Sequence, residues 1–349
     1  MDKRLNSVDV LRAFAILNMI SSHIYVLLTK QNYGLLGFFI SIFAIWAEAM
    51  FLTCAGTGFF LFINKQNRLN YLKKEIFKNI LKRAVFLFIL TLFMLLAFGF
   101  IFNMYFTSII YWSIFQVIAF SMILFFIVPF LKKKIRRIIM ISLIFIIYIM
   151  YYLIKYNNTE ILFILVSGGD FTYFPWASFY VFGMLMGDLM INTEIDKFKK
   201  FLTIFFLSGS VFLFLSYFWF VTLEFDMLLI IHISAYSAYF VLFSVLFYLT
   251  DLHETKSTLQ NSLVRWGNVA FSLYYIHFIL IFSCLILFPL IINDIYSSGL
   301  LIYQFLILLI IFIVIIEIFL RIWEKYNYIF GIEWFMNKLV KRSLFSEDI

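Results

Sequence analysis

Charge is what this chain has least of. Asp, Glu, Lys and Arg make up only 13% of its 349 residues, where a soluble domain carries roughly 25%, and the mean hydropathy is +1.02. With 64% hydrophobic residues gathered into long runs, the chain points to membrane-spanning helices. The strict alternation that lipid-facing β-strands require is missing, which excludes a barrel. Cysteine is scarce too: Cys54 and Cys284 both lie in apolar segments, so neither a disulfide framework nor a metal site is expected. There is no Walker loop, no dinucleotide glycine fingerprint and no HExxH pair. No small-residue cleavage site follows the first apolar segment, which reads as a retained span and not a leader.

What the chain does have is ten apolar stretches, near residues 8–28, 38–63, 80–102, 106–131, 137–154, 173–191, 200–221, 228–250, 267–291 and 299–320. Each approaches the ~20 residues needed to cross hydrocarbon. The fifth is short and precedes a second apolar piece, "ILFILVSGGDF", which reads as re-entrant or as a half-helix. Basic residues mark alternate loops. Lys3 and Arg4 precede the first span, Lys65 to Arg83 fill the second loop, and "KKKIRR" follows the fourth span. Lys197, Lys199 and Lys200 come after the sixth, Lys256 and Arg265 after the eighth, and Lys338, Lys341 and Arg342 in the tail. The intervening loops hold only Lys30 and Lys155.

This alternation predicts an all-α polytopic membrane protein with about ten transmembrane helices and both termini cytoplasmic. The net charge of +8 is then a topology signal. It implies contact with membrane lipids and no nucleic-acid partner. Residues 1–320 read as one transmembrane domain. Residues 321–349 read as a cytoplasmic amphipathic basic tail, whose Trp, Tyr, Phe and Lys at helical spacing suit surface anchoring.

The first span carries polar residues that a lipid-facing helix has no use for. Arg12 and His23 are eleven residues apart, which places them about 20° apart around the helix and about 16 Å apart along it. Asp9, Asn18 and Ser22 share or flank that face. With the amino terminus inside, Arg12 lies near the cytoplasmic boundary, where pairing with Asp9 as an anchoring residue is the plainer alternative. His23 lies deeper, and ionisable groups at such depth are functional by default. Glu48, on the returning second helix, sits at a similar depth and could fix the imidazole tautomer as in a general base. A structural Glu–His pair explains the same residues without catalysis. Ala55, Gly56 and Gly58 allow close helix packing.

Taken in order, these pieces resemble the transmembrane acyltransferase superfamily, with its heparan-α-glucosaminide N-acetyltransferase-like and family-3 branches. The first-helix pattern reads "DVLRAFAILNMISSH", and the second-helix element reads "FLTCAG" before a basic loop ending in Lys82 and Arg83. A mid-chain element reads "FPWASFYVFGMLMG", and the carboxy-terminal one reads "GNVAFSLYYIH". The chain departs from the usual pattern at Ala13 and Ala55.

The resemblance implies an acyl-CoA-dependent O- or N-acetyltransferase. It would move an acyl group, typically acetyl, from cytosolic acyl-CoA to a hydroxyl or amine of a cell-envelope sugar or glycan. Arg12, Lys82 and Arg83 would hold the CoA phosphates. His23 would be the general base and Glu48 its orienting carboxylate. His277 would line the acyl tunnel or meet the oxyanion, with a purely buried hydrogen-bonding role as the equal alternative, and Asp170 would bind acceptor hydroxyls or simply cap a helix. Asp188, His232 and His253 receive no role. Expected partners are membrane lipids, the glycan or amino-sugar acceptor and, as an option, a second copy in a homodimer, in a prokaryotic plasma membrane. A transporter or flippase for a lipid-linked or small anionic solute is the alternative, though the paired broken helices it calls for are not evident.

Overall fold

The computed structural model describes residues 5–29, 34–102, 112–157, 172–222, 227–253, 257–291 and 299–341, and every regular element among them is helical. In chain order these are α1 (Asn6–Leu28), α2 (Leu35–Arg68), α3 (Lys73–Phe102), α4 (Ile114–Leu124), α5 (Lys133–Asn157), α6 (Tyr173–Asn192), α7 (Ile195–Thr222), α8 (Met227–Phe247), α9 (Thr258–Asn268), α10 (Ala270–Ile291), α11 (Ile302–Lys325) and α12 (Ile332–Lys341). A π-turn, Tyr248–Leu252, extends α8.

Among the described residues, eight helices are long and apolar enough to cross a membrane. A ninth follows if α9 and α10, bent by 86° at their junction, count as one span. The fourth predicted span survives as the shorter apolar stretch Ile114–Phe130, where the chain tightens into a 3-10 turn at Pro129. Its first residues, and the "ILFILVSGGDF" piece, lie outside the described residues. The predicted ninth span starts within α9, a helix where the sequence pattern suggests a loop. Ser257 caps that helix, α9, by accepting the Gln260 amide at 3.0 Å.

The chain divides into two compact units. One comprises Met1–Phe51 with Lys199–Phe335, and the other Leu52–Phe198 with Met336–Ile349.

In the first unit α1 is the hub, packed against α8, α9, α10 and α11. Leu11, Ile16, Ile20 and Ile24 are fully buried, so this helix faces protein along most of its length. A neighbour comes very close at Gly267, where a Cβ would stand 1.9 Å from the Asp9 carbonyl oxygen. Only glycine permits that contact. By contrast α7 and α11 expose Ile204, Phe214, Ile310 and Ile318, as helices bordering lipid do, since every backbone group is already bonded within the helix.

In the second unit the later half of α2 and α6 meet along a seam of small residues. A Cβ at Gly56 would lie 2.0 Å from the Tyr180 oxygen, and one at Gly183 2.0 Å from the Thr53 oxygen. Thr57 sits in the seam and its hydroxyl reaches the Gly183 carbonyl at 2.9 Å. This is the small-residue packing that draws membrane helices together where no hydrophobic force can. Asp188, fully buried near the end of α6, accepts from Arg136 and Arg137 of α5 and from Asn192 at 2.9 Å. Part of the "KKKIRR" cluster is therefore a structural clamp in addition to a topology signal.

Candidate active site

Two histidines from remote parts of the chain meet in the first unit. His23 Nδ1 lies 2.9 Å from His277 Nε2, with the rings stacked at a centroid distance of 5.1 Å and tilted by only 12°. His277 Nδ1 lies 3.0 Å from the Leu273 carbonyl oxygen, one helical turn earlier on α10. A carbonyl can only accept, so His277 carries its proton on Nδ1. With both rings neutral, His277 Nε2 is then an acceptor, His23 Nδ1 donates to it, and His23 Nε2 keeps a free lone pair. The protons follow from this network logic. The outcome is a neutral imidazole whose tautomer is set by its neighbour and whose Nε2 carries an unused lone pair.

The surroundings are aromatic. Phe278 lies tilted against both rings, with centroids 4.6 Å from His23 and 4.3 Å from His277, and Tyr274 meets His277 edge-on at 5.6 Å. Glu48 belongs to the same unit. One turn further along α2, the Phe51 ring rests 5.3 Å from Phe271 and 6.3 Å from Tyr274. Glu48 stands three residues before Phe51 on α2, and His277 three residues after Tyr274 and six after Phe271 on α10, about 4.5 Å and about 4.5–9 Å along their helices.

Arg12 pairs with Asp9, Nη1 to Oδ1 at 3.0 Å, and its side chain stays 24% exposed while Asp9 is 3% exposed. The anchoring pair read as the plainer alternative is thus present, and the guanidinium keeps an accessible edge. Lys82 and Arg83 belong to the second unit. Lys82 Nζ lies 3.5 Å from the Leu339 carbonyl oxygen, and Arg83 Nη2 3.5 Å from Asn337 Oδ1. The Arg83 guanidinium covers the Phe62 ring at 4.1 Å, a cation–π contact. Asp170 lies outside the described residues. No three His, Cys, Asp or Glu side chains among the described residues converge as a metal site would need.

A family model described as heparan-alpha-glucosaminide N-acetyltransferase, catalytic, matches residues 4–208, more than half of the 349. The chain belongs to that family. It is a polytopic helical membrane protein of an acetyltransferase family. The matched stretch contains Arg12, His23, Glu48, Lys82, Arg83 and Asp170, whereas His277 lies beyond it. A comparison with curated proteins finds no match.

Both histidines stand out in the sequence, but nothing in it points to their contact or to two further features. Asp251 accepts the first amides of α1, from Asn6 at 2.9 Å and Ser7 at 3.0 Å. Glu333, in the tail read only as an anchor, accepts the Phe271 amide at 2.6 Å and the Ser272 amide at 3.3 Å, together with the Ser272 hydroxyl. The one available signal was negative. Leu5 and Val269, which precede α1 and α10, have no side chain able to cap a helix.

Proposed function

We propose that this protein transfers an acetyl group from cytosolic acetyl-CoA to a hydroxyl or amine of a cell-envelope sugar or glycan, across a prokaryotic plasma membrane. The observation that carries the reading is the His23–His277 hydrogen bond, because it leaves His23 Nε2 as a base in a deep, aromatic setting. Family membership supports acetyl transfer over transport. The acceptor heteroatom attacks the thioester carbonyl while His23 Nε2 removes its proton. The C–S bond then breaks, the thiolate of CoA leaves, and the imidazolium returns the proton to sulfur. Glu48, on α2 one turn before the Phe51 contact with α10, offsets the imidazolium charge. In the first unit Arg12 is a CoA-phosphate contact, for which a guanidinium fork is suited; in the second, Lys82 and Arg83 carry the same role and Asp170 binds acceptor hydroxyls.

The test uses the full chain in nanodiscs, with acetyl-CoA and a panel of amino sugars and glycans. Wild type releases CoA and acetylates an acceptor. Arg12→Ala, and Lys82→Ala with Arg83→Ala, bind CoA at least tenfold more weakly, in line with the loss of charge-assisted contacts, each about 1.5–3 kcal/mol. A wild-type protein that binds no CoA would overturn the reading.

A further inference from the structure

The two helices that carry the histidines are fastened in the same unusual way. Each begins after an apolar residue in extended or irregular backbone, Leu5 before α1 and Val269 before α10. Neither supplies the side-chain oxygen that normally satisfies the first orphan amides. Each borrows a carboxylate from elsewhere in the chain: Asp251, from the π-turn after α8, takes the Asn6 and Ser7 amides. Glu333, from the start of α12, takes the Phe271 and Ser272 amides, the second and third of α10.

The second fastening is reciprocal, since the Ile332 amide donates back to the Ser272 hydroxyl at 2.8 Å. It is also built, not incidental. The turn before α12 holds Asn327, Tyr328 and Phe330 at positive φ, and the Trp323 indole nitrogen donates to the Ile329 carbonyl at 2.8 Å. A Cβ at Gly331 would meet the Ser272 hydroxyl at 3.1 Å and the Trp323 ring at 3.0 Å.

We propose that Glu333 is a positioning residue for the histidine pair: by capping α10 it fixes the rotation and rise of that helix, and so the place of His277 against His23. Ser272 and His277 are five residues apart, about 7.5 Å along a continuous helix, so a loosened first turn is felt at the ring. The 86° bend at Val269 removes the help a preceding collinear turn would give. The tail therefore acts on the chemistry from a distance, and more than anchoring is asked of it.

This inference rests on the acetyltransferase reading for its kinetic arm, so the test includes a readout that needs no turnover. In nanodiscs, imidazole ¹⁵N spectra of the full chain report which nitrogen of His23 carries the proton, and hydrogen exchange reports the Phe271 and Ser272 amides. In Glu333→Ala the His23 signal moves from the single Nδ1–H form to a mixture, and the two amides exchange at least tenfold faster. Maximal acetyl transfer falls roughly 10- to 100-fold with KM unchanged, the scale expected when a reacting group is misplaced by about 1 Å. Glu333→Gln keeps an acceptor oxygen and recovers most of the rate. Ser272→Ala, a milder change, shifts the same readouts in the same direction. Wild-type imidazole spectra in both Glu333→Ala and Ser272→Ala would overturn the inference. A wild-type chain with the paired spectrum but no acetyl transfer would instead count against the reaction alone.

Discussion

Replacing His277 separates a base that merely sits near a second histidine from one whose tautomer depends on it. The contact at stake is a 2.9 Å bond from His23 Nδ1 to His277 Nε2, backed by the 3.0 Å bond from His277 Nδ1 to Leu273. In His277→Ala the Nδ1–H of His23 is left without an acceptor in a buried setting, which costs about 1–3 kcal/mol. Moving the proton to Nε2 avoids that penalty and removes the basic lone pair from the reacting side. At about 1.4 kcal/mol per factor of ten, the productive tautomer becomes roughly 5- to 150-fold rarer, and kcat falls in proportion while KM for acetyl-CoA stays put. His277→Gln can offer an amide oxygen to Nδ1–H, so it should lose less. Steady-state CoA release, with kcat and KM resolved for both substrates, reads the difference. A His277→Ala enzyme with wild-type kcat would refute the relay.

Further predictions concern the frame. Gly267→Ala forces a Cβ to within 1.9 Å of the Asp9 carbonyl, backbone that cannot move aside, so thermal melts in detergent should show a loss of about 1–3 kcal/mol or more. Gly187→Ala, whose nearest neighbour is the Phe60 Cβ at 3.1 Å, should lose less. Asp188→Asn leaves Arg136 and Arg137 without their carboxylate, and breaking one side of a buried ion cluster should cost about 3–5 kcal/mol. Glu194→Gln, which removes the exposed pair with Lys197, should leave the melt unchanged.

Finally, burial holds the Glu333 carboxyl above its ordinary range, against the pull of the Ser272 hydroxyl and the Ser272 and Phe271 amides. A carboxyl so raised binds its proton more tightly in the folded state. Its stabilising contribution is thus complete below the ordinary value and is lost as pH rises through the raised one. The melting temperature should fall across that window in wild type, and not in Glu333→Gln.

Much of this architecture was legible in the sequence because hydrocarbon demands long apolar runs: among the described residues, eight of the ten predicted spans match helices long and apolar enough to cross, nine if the bent α9–α10 pair counts as one. The fourth fell short because α4 ends at Leu124 before the turn at Pro129. Helix α9 was missed because its amphipathic pattern is too polar for a span and its Ser257 cap lay in what read as a loop. At the site, the eleven-residue spacing marked one polar face, and Arg12 does pair with Asp9. The meeting of His23 with His277, 254 positions apart, carries no periodic signal. Glu333 was hidden for a related reason. A carboxylate that caps a distant helix looks, in sequence, like any other charge on an amphipathic tail.

The most direct test of the central claim is a single-turnover measurement on His23→Ala beside wild type, with acetyl-CoA binding measured in the same preparation. The account predicts that His23→Ala binds acetyl-CoA as wild type does and transfers acetyl at least 100-fold more slowly, the scale of a lost general base at roughly 10²–10⁴. Transfer at the wild-type rate in His23→Ala would contradict it and remove the histidine pair from the chemistry.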